Sequence, residues 1–209
     1  MVAEDINAFH ALRPRRILVA GSGGAGKSTL CREIGERLGV PYTDLDLLFF
    51  CKDQTVRPTF ISELAVLVSG SEWITEWNIE EGRELLGSRA QFLIWIDLRR
   101  WRTTWRSLAR SMRSRRANST EWTEPPLYTI LLNPYHGVRW SYVHHEQDRA
   151  MTSDFIRNNP GIPSITLRSP REVKAFRTSL SAQFGSAPLG GSLDHTVGPE
   201  GLEPPTSTV

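Results

Sequence analysis

The sequence predicts an α/β fold built on a parallel sheet, and three observations lead there. Short apolar runs alternate with helix-period segments, the pattern of buried parallel strands joined by helical crossovers. The first run, ILVA at 17–20, opens directly into GSGGAGKST at 21–29, where four of nine residues are glycine. A helix-period stretch comes next, with Leu30, Ile34 and Leu38 four residues apart.

Each element has its own signal along the chain. The apolar run predicts a strand at 16–20, and the Leu30 stripe a helix at 27–38. A second strand is expected near 41–43, before the polar TDLD. Pro58 suits a first helical turn, and Ile61, Leu64, Ala65 and Val68 then make one stripe, giving a helix at 59–69. WITE (73–76), FLIWI (92–96) and PSITL (163–167) read as the remaining strands, and helices are expected at 99–116, 138–158 and 171–184. A polar link with two prolines, 117–126, interrupts the chain after the fourth strand and its helix. The chain divides into an N-terminal extension (1–14), one domain (15–185) and a tail (186–209). That tail is rich in Gly, Pro, Ser and Thr and is expected to be disordered. Its end, GPEGLEPPTSTV, resembles the translated complement of a tRNA gene's T-arm, so the reading frame is expected to run into such a gene.

Composition narrows the setting. At 209 residues the chain suits one domain with a sizeable core, and its formal charge of +2 favours no strongly charged partner. The two cysteines, Cys31 and Cys51, lack metal-ligand spacing and read as reduced thiols. No apolar run approaches the roughly 20 residues of a membrane span. The first 16 residues, with early acids and no apolar stretch, do not read as a secretory signal. A soluble, cytoplasmic protein with no membrane partner is expected.

The glycine-rich loop carries the chemistry. Gly21, Gly26, Lys27 and Ser28 satisfy G-x-x-x-x-G-K-[ST], the phosphate-binding loop of P-loop NTPases. Glycines let successive backbone N–H groups point into one concavity, and the helix N-terminus behind them attracts phosphate. Gly21, Ser22, Gly23, Gly24, Ala25, Gly26, Lys27, Ser28 and Thr29 are therefore expected to hold a nucleoside triphosphate. Lys27 would reach the β- and γ-phosphates, and the Ser28 hydroxyl Mg²⁺. ATP and Mg²⁺ are the expected cofactors.

Three further constellations surround it. On the 99–116 helix, Trp101, Trp105, Leu108 and Met112 form one stripe, and Arg102, Arg106, Arg110 and Arg113 form another about 100° away. The aromatic stripe is expected to be buried, as are Trp73 and Trp95. The arginines read either as a solvated basic face or as phosphate ligands. Asp44 and Asp46, two apart, would project from one face of a strand end, to hold Mg²⁺ waters or an acceptor hydroxyl. Asp97 ends the FLIWI strand, where open α/β sheets place their sites, but reads first as the cap of the following helix. HHEQD (144–148) reads as a solvated helix face rather than a metal site.

Residues 15 to about 180 resemble the small P-loop proteins known as DNA topology modulation proteins, which look like reduced adenylate kinases. The motifs that carry the resemblance are GSGGAGKSTL, LDLLF (45–49), WITEWN (73–78), IDLRRWRTTWRSLAR (96–110) and LRSPREVKAF (167–176). It implies a nucleoside-monophosphate-kinase-like three-layer sandwich with strand order 2-3-1-4-5 and a short lid helix. It also implies Asp46 on the acceptor side, Arg106 and Arg110 as lid-helix arginines on the transferring phosphates, and a metal-water role for Glu76 with Ser28 and Asp44. Glu76 stands where the family has aspartate, and Glu80 where adenylate kinases have an acceptor-binding arginine; Arg83 lies one turn on. The function expected is Mg-dependent phosphate transfer from ATP to a small-molecule acceptor that the sequence does not name. The alternatives are a nucleotide-dependent DNA-binding regulator and an ATP-binding protein with slow hydrolysis. Neither reading fixes an oligomeric state.

Overall fold

The computed structural model describes residues 2–51, 55–116 and 137–185. The 117–126 link and the 186–209 tail lie outside the described residues.

Five strands, β1 (Arg16–Ala20), β2 (Tyr42–Thr43), β3 (Trp73–Glu76), β4 (Phe92–Ile96) and β5 (Ser164–Leu167), make one parallel sheet in the order β2-β3-β1-β4-β5. Every residue of β3 and β4 is buried, as a parallel strand covered on both faces must be. Register sets where the glycine-rich loop begins. Val19 pairs with Glu76 and Ala20 with Trp95, so the end of β1 emerges between the ends of β3 and β4.

Strand residues alternate between two helical layers. Ile17, Val19, Ile74, Phe92 and Ile94 face α1 (Val2–Leu12), α2 (Lys27–Leu38) and α9 (Pro170–Phe184). There Phe9 stands edge-on to Phe92 and Phe176, with ring centroids 5.1 and 5.2 Å apart. Leu18, Ala20, Trp73, Leu93 and Trp95 face α3 (Leu45–Phe49), α4 (Phe60–Ser69), α5 (Arg83–Arg89) and α8 (His145–Asn158). Each large apolar side chain so buried contributes about 1.5–3 kcal/mol. Local chemistry fixes the helix ends. Ser169 accepts from the Glu172 amide while Glu172 reaches back to the Arg168 amide, and Pro170 follows the cap.

The five expected strands are present, and three helices were not foreseen. α1 carries Val2, Ile6 and Phe9 at i, i+4 and i+7, a short stripe that docks the N-terminal segment on the core. α3 and α5 have five and seven residues, too few for periodicity to register. The single helix expected at 138–158 is two, α7 (Gly137–Val143) and α8, parted at His144. The break lets α7 lie on the glycine-rich loop while α8 lies on the sheet.

The larger correction concerns α6 (Arg100–Arg116). Trp101 and Trp105, expected in the core, are 59% and 63% exposed, and Met112 is exposed too. The buried face is Thr103, Ser107 and Ser111, at 0%, 1% and 5%. Small side chains win that face because the helix backbone comes down directly onto the loop, where an indole has no room. Trp73 and Trp95 are buried, as expected. Among the described residues, no helix is long and apolar enough to cross a membrane.

Candidate functional site

The loop from Gly21 to Gly26 leaves β1 and ends as the cap of α2, with Gly26 at φ 100°. Gly24 adopts φ 79°, and a Cβ there would lie 2.3 Å from the Thr103 carbonyl of α6. Glycine is required on both counts. Across the loop, Ser141 of α7 donates to the Gly23 carbonyl at 2.6 Å. Arg106 reaches over from α6 to the Ala25 carbonyl at 3.2 Å, and the Arg110 side chain, one turn on, is exposed. Two helices thus hold the loop from outside. Ser22 is buried in it, Ser28 half-buried, and Thr29 exposed at the start of α2.

Lys27 turns inward. Its ammonium, in a side chain 9% exposed, lies 3.6 Å from a Glu76 oxygen and 3.5 Å from the Ser22 carbonyl. Glu76 accepts a second bond from the Tyr42 hydroxyl at 3.2 Å. Burial, and then the Glu76 charge, push the Tyr42 hydroxyl far above its ordinary pKa, while a hydrogen bond with Ser28 opposes the rise. Ser28, Tyr42, Glu76 and Lys27 therefore meet at the loop's open side.

Asp44 and Asp46 are not on a strand. Asp44 caps α3, accepting from the Asp46 amide at 3.1 Å, and Asp46 stands in the first helical turn. A strand end would have needed extended backbone through both, and α3 begins between them. The Asp46 carboxylate accepts from Asn78 Nδ2 at 3.0 Å. Burial, then repulsion from Glu76, raise the pKa of both aspartates, and Lys27 pulls Asp46 the other way. Asp46 keeps an exposed outer edge while its inner side faces these charges.

Asp97 does not cap α6. It is held by both nitrogens of an Arg149 fork, at 2.6 and 3.1 Å, and that bidentate pair outweighs a cap. HHEQD is a solvated face only in part, with Glu146 and Gln147 exposed. His145 is buried at 3%, its Nε2 bonded to the Leu98 carbonyl at 2.9 Å, and His144 stacks on Trp140. Asp97, Leu98, Arg99, Arg100, His145, Glu146 and Arg149 line a cavity of about 330 Å³. It adjoins the loop, where Gly21 packs under the Ile96 carbonyl.

Sequence reasoning did not single out Tyr42, Ser141, Arg149 or the Asp148 side of α8. Asp148 lies one turn before Met151, whose sulfur is 3.3 Å from an Arg83 nitrogen, so this face of α8 looks across the loop's open side. Burial raises the Asp148 pKa, against the pull of Lys27 and Arg83. Nothing in the local pattern of α8 marks these positions, since their partners come from 50 or more residues away.

No protein-family model matches the chain, and no curated protein sequence matches it significantly. The narrower likeness to DNA topology modulation proteins therefore has no support from these comparisons. Among solved structures the chain is similar to a shikimate kinase from Acinetobacter baumannii in complex with shikimate. Identity is 17%, the TM-score is 0.40, and the match covers 85% of this chain and 96% of that one.

Proposed function

We propose that the protein is an ATP- and Mg²⁺-dependent phosphotransferase acting on a small hydroxyl compound in the cytoplasm. One observation carries the reading: a G-x-x-x-x-G-K-S loop between β1 and α2 whose lysine is buried against an acid at the site's floor. The oxygen donors suit Mg²⁺, which takes one or two carboxylates and completes its shell with water and phosphate. Ser28, Glu76 and Asp44 would hold it, and it would neutralise charge on the phosphates. Lys27 would exchange its Glu76 partner for a phosphate, and Arg106 would leave the Ala25 carbonyl for the transferring phosphoryl group. Transfer breaks the bond between the γ-phosphorus and ADP and forms one to the acceptor oxygen. The hydroxyl proton passes to Asp46, whose raised pKa suits a base. Positioning and electrostatics supply the catalysis.

The test is kinetic. Arg106→Ala and Arg110→Ala should bind Mg-ATP within a few-fold of wild type yet lose transfer by roughly 10²-fold or more, as interactions made only in the transition state do. Wild-type protein that neither binds Mg-ATP nor turns it over removes the proposal.

The exposed tryptophans favour a second reading. Trp101 and Trp105 lie beside exposed arginines, and the Arg102 guanidinium sits 4.5 Å over the Trp101 ring. Aromatic faces beside positive charge are what single-stranded nucleic acid stacks on. Salt-sensitive binding of an oligonucleotide, lost in Trp105→Ala, would establish this role; no binding at low salt would end it.

A further inference from the structure

We propose that Ser141 is a positioning residue for the donor phosphates, turning the Gly24 N–H into the glycine-rich loop; this rests on the phosphate-binding part of the reading above. Not every amide of the loop is open to a ligand. The Ala25 N–H already donates to the Ser22 carbonyl at 3.1 Å, and that carbonyl also faces the Lys27 ammonium. Among the described residues, the Gly24 and Gly26 amides have no such backbone partner. With the amides of the first turn of α2, they are the donors left for phosphate oxygens.

The carbonyls before them set which way these two amides point. In a trans peptide the C=O and the following N–H point in opposite directions, and among the described residues no peptide bond is cis. The Gly23 carbonyl is drawn outward to the Ser141 hydroxyl of α7 at 2.6 Å, so the Gly24 N–H turns away from α7 toward the loop's interior. The Ala25 carbonyl is drawn outward to Arg106 in the same way, which turns the Gly26 N–H inward.

The two peptides are not equally secure. Gly26 is the cap of α2, so the helix helps to fix the second. The first lies between two glycines, where rotation of the peptide plane meets little steric resistance. Flipped, it would present a carbonyl oxygen to the phosphates. Arg106 would also leave for the transferring phosphoryl group, whereas Ser141, uncharged and 1% exposed, stays on the loop. The loop is shaped for this contact. Gly23 is not one of its positive-φ glycines, so its backbone conformation does not call for glycine. A Cβ there would lie 3.0 Å from the Ser141 Cβ and 3.3 Å from its Oγ. Glycine at 23 is what admits the hydroxyl.

The test follows phosphate binding on the full chain, by calorimetry with Mg-ATP and with inorganic tripolyphosphate, and by the Gly24 amide signal in NMR spectra. Ser141→Ala should weaken both ligands by a similar factor, about 3- to 10-fold, the net contribution of one neutral hydrogen bond. Ser107→Ala removes a hydroxyl buried on the α6 side of the loop and should change neither by more than twofold. In wild type the Gly24 amide proton should move downfield as tripolyphosphate binds; in Ser141→Ala it should move less than half as far. Three results overturn the inference alone: equal affinities in wild type and Ser141→Ala, an equal loss in Ser107→Ala, or a wild-type Gly24 signal indifferent to bound tripolyphosphate. Wild type that binds neither ligand removes the phosphate-binding reading as well.

Discussion

Gly24 is where the loop and α6 depend on each other most directly, and Gly24→Ala measures that dependence. At φ 79° the residue is in left-handed space, which costs an L-residue about 1–2 kcal/mol. The added Cβ would also stand 2.3 Å from the Thr103 carbonyl and 3.1 Å from the Ser107 amide, both backbone atoms that cannot rotate aside. Forcing α6 outward adds an overpacking cost of about 1–3 kcal/mol. Together these give about 2–5 kcal/mol. In a domain of this size each kcal/mol lowers Tm by roughly 2–4 °C, so a loss of about 4–20 °C is expected.

Gly39→Ala supplies the control. Its φ is 63°, but nothing lies within 4 Å of the added methyl, so only the backbone cost applies, about 2–8 °C. Thermal denaturation of both apo proteins, followed by circular dichroism, separates the two contributions. If the variants lose the same amount, α6 does not rest on the loop and the account of its buried face is wrong.

Lys27→Ala should abolish Mg-ATP stabilisation, about 2.7 kcal/mol at a hundredfold Kd. Because Lys27 is buried against Glu76, the apo variant should also lose on the order of 3 kcal/mol, which Glu76→Gln in the same chain restores in part. An apo Tm unchanged by Lys27→Ala would show that the pair contributes nothing. Burial raises the Asp148 pKa in the folded state, so ionising it opposes folding. That penalty is absent below the ordinary aspartate value of about 3.9, grows as pH rises from there to the folded value and is constant above it. Asp148→Asn should therefore match wild type near pH 4 and gain on it toward pH 7; parallel Tm profiles would contradict the burial.

How much of the fold and site was legible in the chain depends on where each residue's partners lie. β1, the loop and α2 were readable together because their requirements are local: an apolar run, glycines where φ is positive, a stripe of four-residue spacing. Lys27 was readable for the same reason, but its engagement with Glu76 was not. That contact exists only because β3 pairs with β1 in a register that brings Val19 beside Glu76. Asp97 makes the same point from the other side. Local sequence suggests a helix cap, and an arginine 52 residues away takes the carboxylate instead.

The α6 helix shows how a sound rule can select the wrong face. Periodicity identifies which residues share a side, and it assigned both stripes of α6 correctly as stripes. Deciding which stripe goes inward needs the surface beneath, and here that surface is a glycine loop rather than a sheet. Against a sheet, Trp101 and Trp105 would fill the space between layers. Against Gly24, whose missing Cβ leaves the Thr103 carbonyl room to approach, only small residues fit. Thr103 turns its hydroxyl back to the Arg100 carbonyl, so it enters the interface without an unmet bond. The threonine and two serines spaced four apart at 103, 107 and 111 were in the sequence throughout, and the glycine loop was the partner that gave that spacing its meaning.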